Sequence, residues 1–306
     1  MTRLSPHPAL GPAVVLGSAA GFAMNTPIAA FVYADGGNAA TVIAARAGAA
    51  GLLALFFLIA ARRAPRVPKT AWPALACATV ALAAQGLGYL GSVAFIPVGL
   101  AAVIFFTWPI MIALIDPLLG GPKLKPLDGL AFLIAFAGLA LAIGPSLESL
   151  DPRGIALALL GAVGLAAFLL FSRKALADTP SMTVTLIANF GAVALCLLAA
   201  PIFFNGVAFP VGETGRLAMA AVCGFYTLAL LLQFTALKIA SAPTIAILFN
   251  LEPVISILVA AALLGEVLTT DQYIGGALVV AGLILYSRPG KRATPRGRLF
   301  RRDQRG

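Results

Sequence analysis

The sequence predicts an all-α membrane protein of ten transmembrane helices, arranged as two inverted five-helix repeats. Three observations carry this: charge is scarce, apolar runs of spanning length alternate with basic breaks, and the second half echoes the first. Of 306 residues, 61% are hydrophobic and 10% charged, and the mean hydropathy is +1.01. A soluble domain carries about 25% charged residues, because its surface faces water. Here lipid must take the place of most of that water, so the bilayer itself is a partner.

A spanning helix needs about 20 mostly apolar residues. Breaking the chain at charges and at Pro/Gly clusters leaves runs near 11–33, 41–61, 71–95, 98–118 and 127–144, then 153–172, 181–204, 215–237, 242–264 and 271–287. The first run is longer than a signal-peptide core and is interrupted by Asn25 and Pro27, so it is read as a retained span. The second carries Arg46 in its outer quarter, where the side chain either snorkels to the surface as an anchor or ion pair or meets a substrate carboxylate. In the third, Gln85 and Tyr89 stand four apart and share a face. The fourth contains Trp108-Pro109, and Asp116 near its end serves an inner gate or faces water. The seventh and eighth hold Asn189 and Tyr226; the ninth holds Asn250, Glu252 and Pro253. Gly17 and Gly21 form a small-residue pair suited to close helix approach.

Orientation follows the basic residues. Arg3, the break at Arg62, Arg63, Arg66 and Lys69, the pairs Lys123/Lys125 and Arg173/Lys174, Lys238, and eight residues after Ser287 all fall on one side. That places both termini in the cytoplasm and makes residues 289–306 a basic cytoplasmic tail. The net charge of +10 thus belongs to membrane flanks rather than to a nucleic-acid surface. Cys77, Cys196 and Cys223 fall inside apolar runs as small core residues, and His7 is a solvated tail residue. No spacing suggests a metal or other cofactor, a phosphate-binding loop or a nucleophile elbow, which argues against an enzyme.

The halves match at an offset of 144 residues. TWPIMIALIDPLLGG (107–121) aligns with LEPVISILVAAALLG (251–265), which puts Pro109 on Pro253 and Gly121 on Gly265. AGLAL (137–141) aligns with AGLIL (281–285), and LGSAAGFA (16–23) with LGAVGLAA (160–167). Five spans per repeat is an odd number, so the second repeat (146–288) enters from the opposite side to the first (1–145). Inverted repeats of this kind belong to secondary transporters, with the substrate between the halves at mid-membrane.

The segment ALKIASAPTIAIL (236–248) followed by LEPVISILVAAALLGEVLT (251–269) resembles the second-repeat signature of the EamA family in the drug/metabolite transporter superfamily. The first repeat echoes it, with Pro122 where the second has Glu266. The resemblance covers essentially the whole chain. It implies ten helices and export of small metabolites, often amino acids, from the bacterial cytoplasm, and it looks closest to the YddG-like aromatic amino-acid exporters.

Ionisable and polar groups at membrane depth mark pathways. Asn25, Gln85, Tyr89, Trp108, Tyr226, Asn250 and Glu252 are the candidate substrate contacts, and Pro109 and Pro253 the candidate hinges. Tyr89, Trp108 and Tyr226 offer stacking faces; the amides and Glu252 offer polar contacts, and Glu252 either meets an amine or carries a proton. The expected function is a secondary transporter of the bacterial inner membrane, exporting amino acids or similar small metabolites by alternating access, as a monomer or weak homo-oligomer. The competing readings are an exporter of unrelated drugs or cations, and a non-transporting scaffold or sensor.

Overall fold

Apolar runs punctuated by proline, asparagine and aspartate give thirteen α-helices among the described residues, with no strand. The computed structural model describes residues 10–92, 95–119, 124–144, 150–264 and 267–286. The basic tail, His7, Arg3, Lys123, Pro122 and Glu266 lie outside them, as does the junction at 145–146. The helices are α1 (Leu10–Ala23), α2 (Asn25–Ala34), α3 (Ala39–Ala60), α4 (Trp72–Ser92), α5 (Val98–Phe105), α6 (Trp108–Ile115) and α7 (Pro126–Ile143). The second half continues with α8 (Pro152–Asp178), α9 (Ser181–Phe203), α10 (Glu213–Ile239), α11 (Ala242–Leu248), α12 (Leu251–Leu264) and α13 (Thr270–Tyr286). Eight helical stretches among the described residues are long and apolar enough to cross a membrane, counting α1–α2, α5–α6 and α11–α12 as one each. The chain is a multi-pass membrane protein. In addition, α4, of 21 residues, and α13, of 17, stand where the third and tenth spans are expected.

Three spans are broken, each just before a proline. Proline has no N–H to give the carbonyl four residues back, and its ring crowds that carbonyl. At Pro253 the chain compensates with tight turns: the backbone N–H groups of Asn250 and Glu252 donate to Ile247 O and Phe249 O, at 3.1 and 3.0 Å. At Pro109 the N–H of Thr107 and its Oγ1 both donate to Ile104 O, at 3.1 and 2.7 Å. Before Pro27, Asn25 Nδ2 donates to Gly21 O and Phe22 O, at 2.9 and 3.2 Å. The counterpart of this last break, in α8, is an uninterrupted helix.

At the 144-residue offset α3 pairs with α9, α4 with α10, α7 with α13, α5 with α11 and α6 with α12. Corresponding helices run antiparallel. Asn38, capping the start of α3, donates to Phe204 O just past the end of α9. On α7 and α13, Gly138 faces Gly275 while Ala131 and Ala135 face Gly282. Packing follows the same exchange: α4 lies on α8 as α10 lies on α1, and α4 touches α9 as α10 touches α3.

Helices α4 and α8 also meet backbone to backbone. A Cβ added to Gly161 would fall 2.8 Å from Tyr89 N, and one added to Gly164 would fall 2.7 Å from Gln85 N. Only glycine lets the two backbones meet there, as small residues do at membrane helix interfaces. Gly17 and Gly21 likewise face Leu232 and Ala229 on α10. Leu52, Phe56, Ile59, Leu198 and Ile202 point away from the bundle, where lipid covers them. Cys196 is buried, whereas Cys77 is exposed on the outer face of α4 rather than in the core. An apolar groove of about 420 Å³ between α12 and α13 also faces outward.

Candidate functional site

The two aligned helix breaks, before Trp108 and before Glu252, lie at mid-depth and bring aromatic side chains together. Trp108 is fully buried and meets Phe249 edge-on at 5.8 Å between ring centroids. Phe249 packs on Phe22 at 6.1 Å, and Phe22 meets Tyr226 edge-on at 5.7 Å. The Tyr226 hydroxyl donates to Asn189 Oδ1 at 3.3 Å, which fixes its ring. Across the cavity Tyr89 stacks at a tilt on Phe105, with centroids 4.5 Å apart.

Two charges enter this aromatic setting. The Arg46 guanidinium carbon lies 4.8 Å from the centroid of the Tyr226 ring, a cation–π distance. Its helix therefore turns it inward, whereas the sequence reading let it snorkel to the surface. Glu252, at the start of α12, is half-buried. Neither charge forms a salt bridge or a side-chain hydrogen bond among the described residues.

The structure thus links Arg46, Tyr226 and Trp108 through Phe22 and Phe249, and sets Tyr89 against Phe105. Gln85 is half-buried one turn from Tyr89 on α4. The other two amides are committed to backbone: Asn25 as described above, and Asn250 through Nδ2 to Ile247 O at 3.1 Å. Both amides thus tie down the helix breaks. Of these expected contact residues, two keep a buried atom without a partner, Asn25 Oδ1 and Trp108 Nε1. A buried unpaired donor costs about 1–3 kcal/mol, so Trp108 carries a hydrogen bond in reserve.

The two ends of the bundle differ. At the basic end Asp116, in a 3-10 turn over Asp116–Leu119, is 5% exposed and sits 3.7 Å from Arg173. It therefore does not face water, one of the two options left open by the sequence. At the far end the chain ties its loops together: Asp35 Oδ2 accepts from Gly212 N at 2.6 Å, and Thr41 Oγ1 donates to Ala208 O at 2.6 Å. The half-helices behave oppositely. At the basic end α6 packs on α11, with Ile112, Ile245, Ala246 and Ile247 almost fully buried. Their counterparts at the far end, α12 and α5, make at most marginal contact among the described residues.

Phe22, Phe249 and the inward turn of Arg46 were not among the expected site residues. Phe249 had one legible signal, since it falls on Phe105 at the repeat offset. Phe22 had none.

Helices interrupted at mid-depth around a cavity with its own charges are how a membrane protein receives a solute that must leave water, and they define a solute transporter. The EamA-like transporter family matches residues 9–144 and 152–288, so the chain belongs to that family. It is also 30% identical over 220 residues to solute carrier family 35 member E4 of Rattus norvegicus. That match covers 69% of this chain and 62% of the rat protein's length. A crystal structure superposes with a TM-score of 0.71 over 92% of this chain and 96% of its own, at 21% identity, which shows the fold alone.

Proposed function

We propose that the protein is a secondary transporter that exports amino acids, aromatic ones among them, across the bacterial cytoplasmic membrane by alternating access. In this reading ten spans form two inverted repeats, 1–145 and 146–288, with both termini in the cytoplasm. Pro109 and Pro253 serve as hinges.

One observation supports it above the rest: α6 is closed on α11, while α5 and α12 stand apart. Exchanging the roles of the repeats maps one contact onto the other, so the same sequence has a second, opposite arrangement of similar energy. The cavity then opens to the far side here and to the basic side in the exchanged state. Tyr89, Tyr226 and Phe22 supply apolar and stacking surface for a ring, and Glu252 stands where an amine would arrive.

The test is flux through proteoliposomes holding the full chain, with labelled phenylalanine, threonine and methionine. Saturable uptake driven by an opposing gradient is the expected result, fastest for phenylalanine. Intact, folded protein that moves none of them would end the reading. If protons move with the solute through Glu252, Glu252→Gln abolishes the pH-gradient dependence; dependence that survives removes the proton role from this residue.

A further inference from the structure

Arg46 turns into the bundle, against the ring of Tyr226. It follows the first residue of α3 by seven positions, about 10 Å along the axis at about 1.5 Å per residue. A guanidinium at that depth is expensive in lipid unless something answers its charge. What answers it here is one ring: Tyr226, held by Asn189 from the opposite side. No carboxylate of the described residues lies within ion-pair distance of it. Its planar fork of five N–H donors matches a carboxylate in two parallel hydrogen bonds, a geometry that an ammonium cannot copy.

Glu252, at the start of α12, is likewise without an ion-pair partner among the described residues. A guanidinium with no carboxylate partner, laid on an aromatic ring, complements a molecule that carries a carboxylate beside an aromatic group. We infer that Arg46 binds the carboxylate of the transported α-amino acid, and that this contact makes the protein select amino acids over amines of the same shape. This rests on the proposed amino-acid transport and narrows it to a named contact.

The experiment separates the two claims by reading binding and flux apart. Thermal stabilisation of the detergent-solubilised full chain is titrated with L-phenylalanine, with phenethylamine, which lacks the carboxylate, and with 3-phenylpropionate, which lacks the ammonium. The native protein should favour phenylalanine over phenethylamine by about tenfold to a hundredfold, as for a charged hydrogen-bonded contact. Arg46→Gln should lose that preference and leave phenethylamine binding unchanged, with Arg46→Lys intermediate. Equal binding of phenylalanine and phenethylamine by the native protein overturns the inference. So does an Arg46→Gln variant that weakens both ligands alike. The double variant Arg46→Gln/Glu252→Gln guards against a third account: if it restores phenylalanine binding, Arg46 merely neutralised Glu252, and the inference fails. Binding with the predicted preference but without flux would spare the inference and end the transport reading instead.

Discussion

The halves of the two broken helices that point to the basic end are packed together, and those that point to the far end are not. Both ends descend from one sequence pattern, so under the proposed exchange of states the difference separates contacts that persist from those that trade. Helices α4 on α8, α7 on α13 and α3 on α9 meet closely, many through glycines. The contact of α6 with α11 has no developed partner at the opposite end among the described residues, and in that proposal it is the one traded.

The largest expected effect comes from truncating the closed end. Trp108→Ala should cost about 3–5 kcal/mol in thermal unfolding, as for a large buried aromatic. Leu258→Ala on α12, where the side chain is half-exposed, should stay within about 0.5 kcal/mol. Comparable losses at both sites would erase the contrast. Trp108→Phe fills most of the same space and removes the orphaned Nε1–H, so it should be far milder than the alanine variant; an equal loss would mean that the N–H has a partner.

Next in size is Ala246→Trp, which overfills the α6–α11 contact. Overpacking costs about 1–3 kcal/mol, enough to shift the populations of the two states by about tenfold to a hundredfold. In a background free of native cysteines, Ile112→Cys should become reactive to a water-soluble maleimide only when Ala246→Trp is added. A silent cysteine with retained fold would count against a tradable contact.

Smaller still is Asp116→Asn, which weakens the tie to the partly exposed Arg173. For such a pair about 1 kcal/mol is the ceiling, so flux should change by no more than about fivefold. Smallest is Asp151→Asn at the far end. Asp151 accepts from Arg153 through both side chain and backbone, which holds its carboxyl below the ordinary carboxylate range. Any stability it adds is therefore complete above the unfolded group's titration and fades as pH falls through the folded one. Asp151 lies partly exposed at the start of α8, and asparagine caps a helix about as well as aspartate, so unfolding profiles of parent and variant should nearly superpose at neutral pH.

The helix breaks were legible because a missing N–H is a property of proline wherever it stands; Trp108-Pro109 and Glu252-Pro253 announced them. The repeat was legible for a similar reason, since matched prolines and glycines survive drift among interchangeable aliphatics. Arg46 was not. A charge on an apolar helix says that something must solvate it, but which way it turns depends on the rotation of α3 against α9 and α10. The same holds for Asn25 and Asn250, whose amides spend themselves on their own helices. A composition of alanine and leucine also hides which glycines meet backbone: Gly88 and Gly161 do, while Gly224 meets nothing within 4 Å.

The pairing of distant helices has a consequence for biogenesis. Ser18 of α1 donates to Ala229 O of α10 at 2.7 Å, across 211 positions of sequence. The first helix thus finds this neighbour only when α10 has been made. A chain halted near residue 200 would already join α4 to α8 and α3 to most of α9, while α1 and α7 still wait for α10 and α13. Completion of the fold is therefore a late event that waits on the last helices.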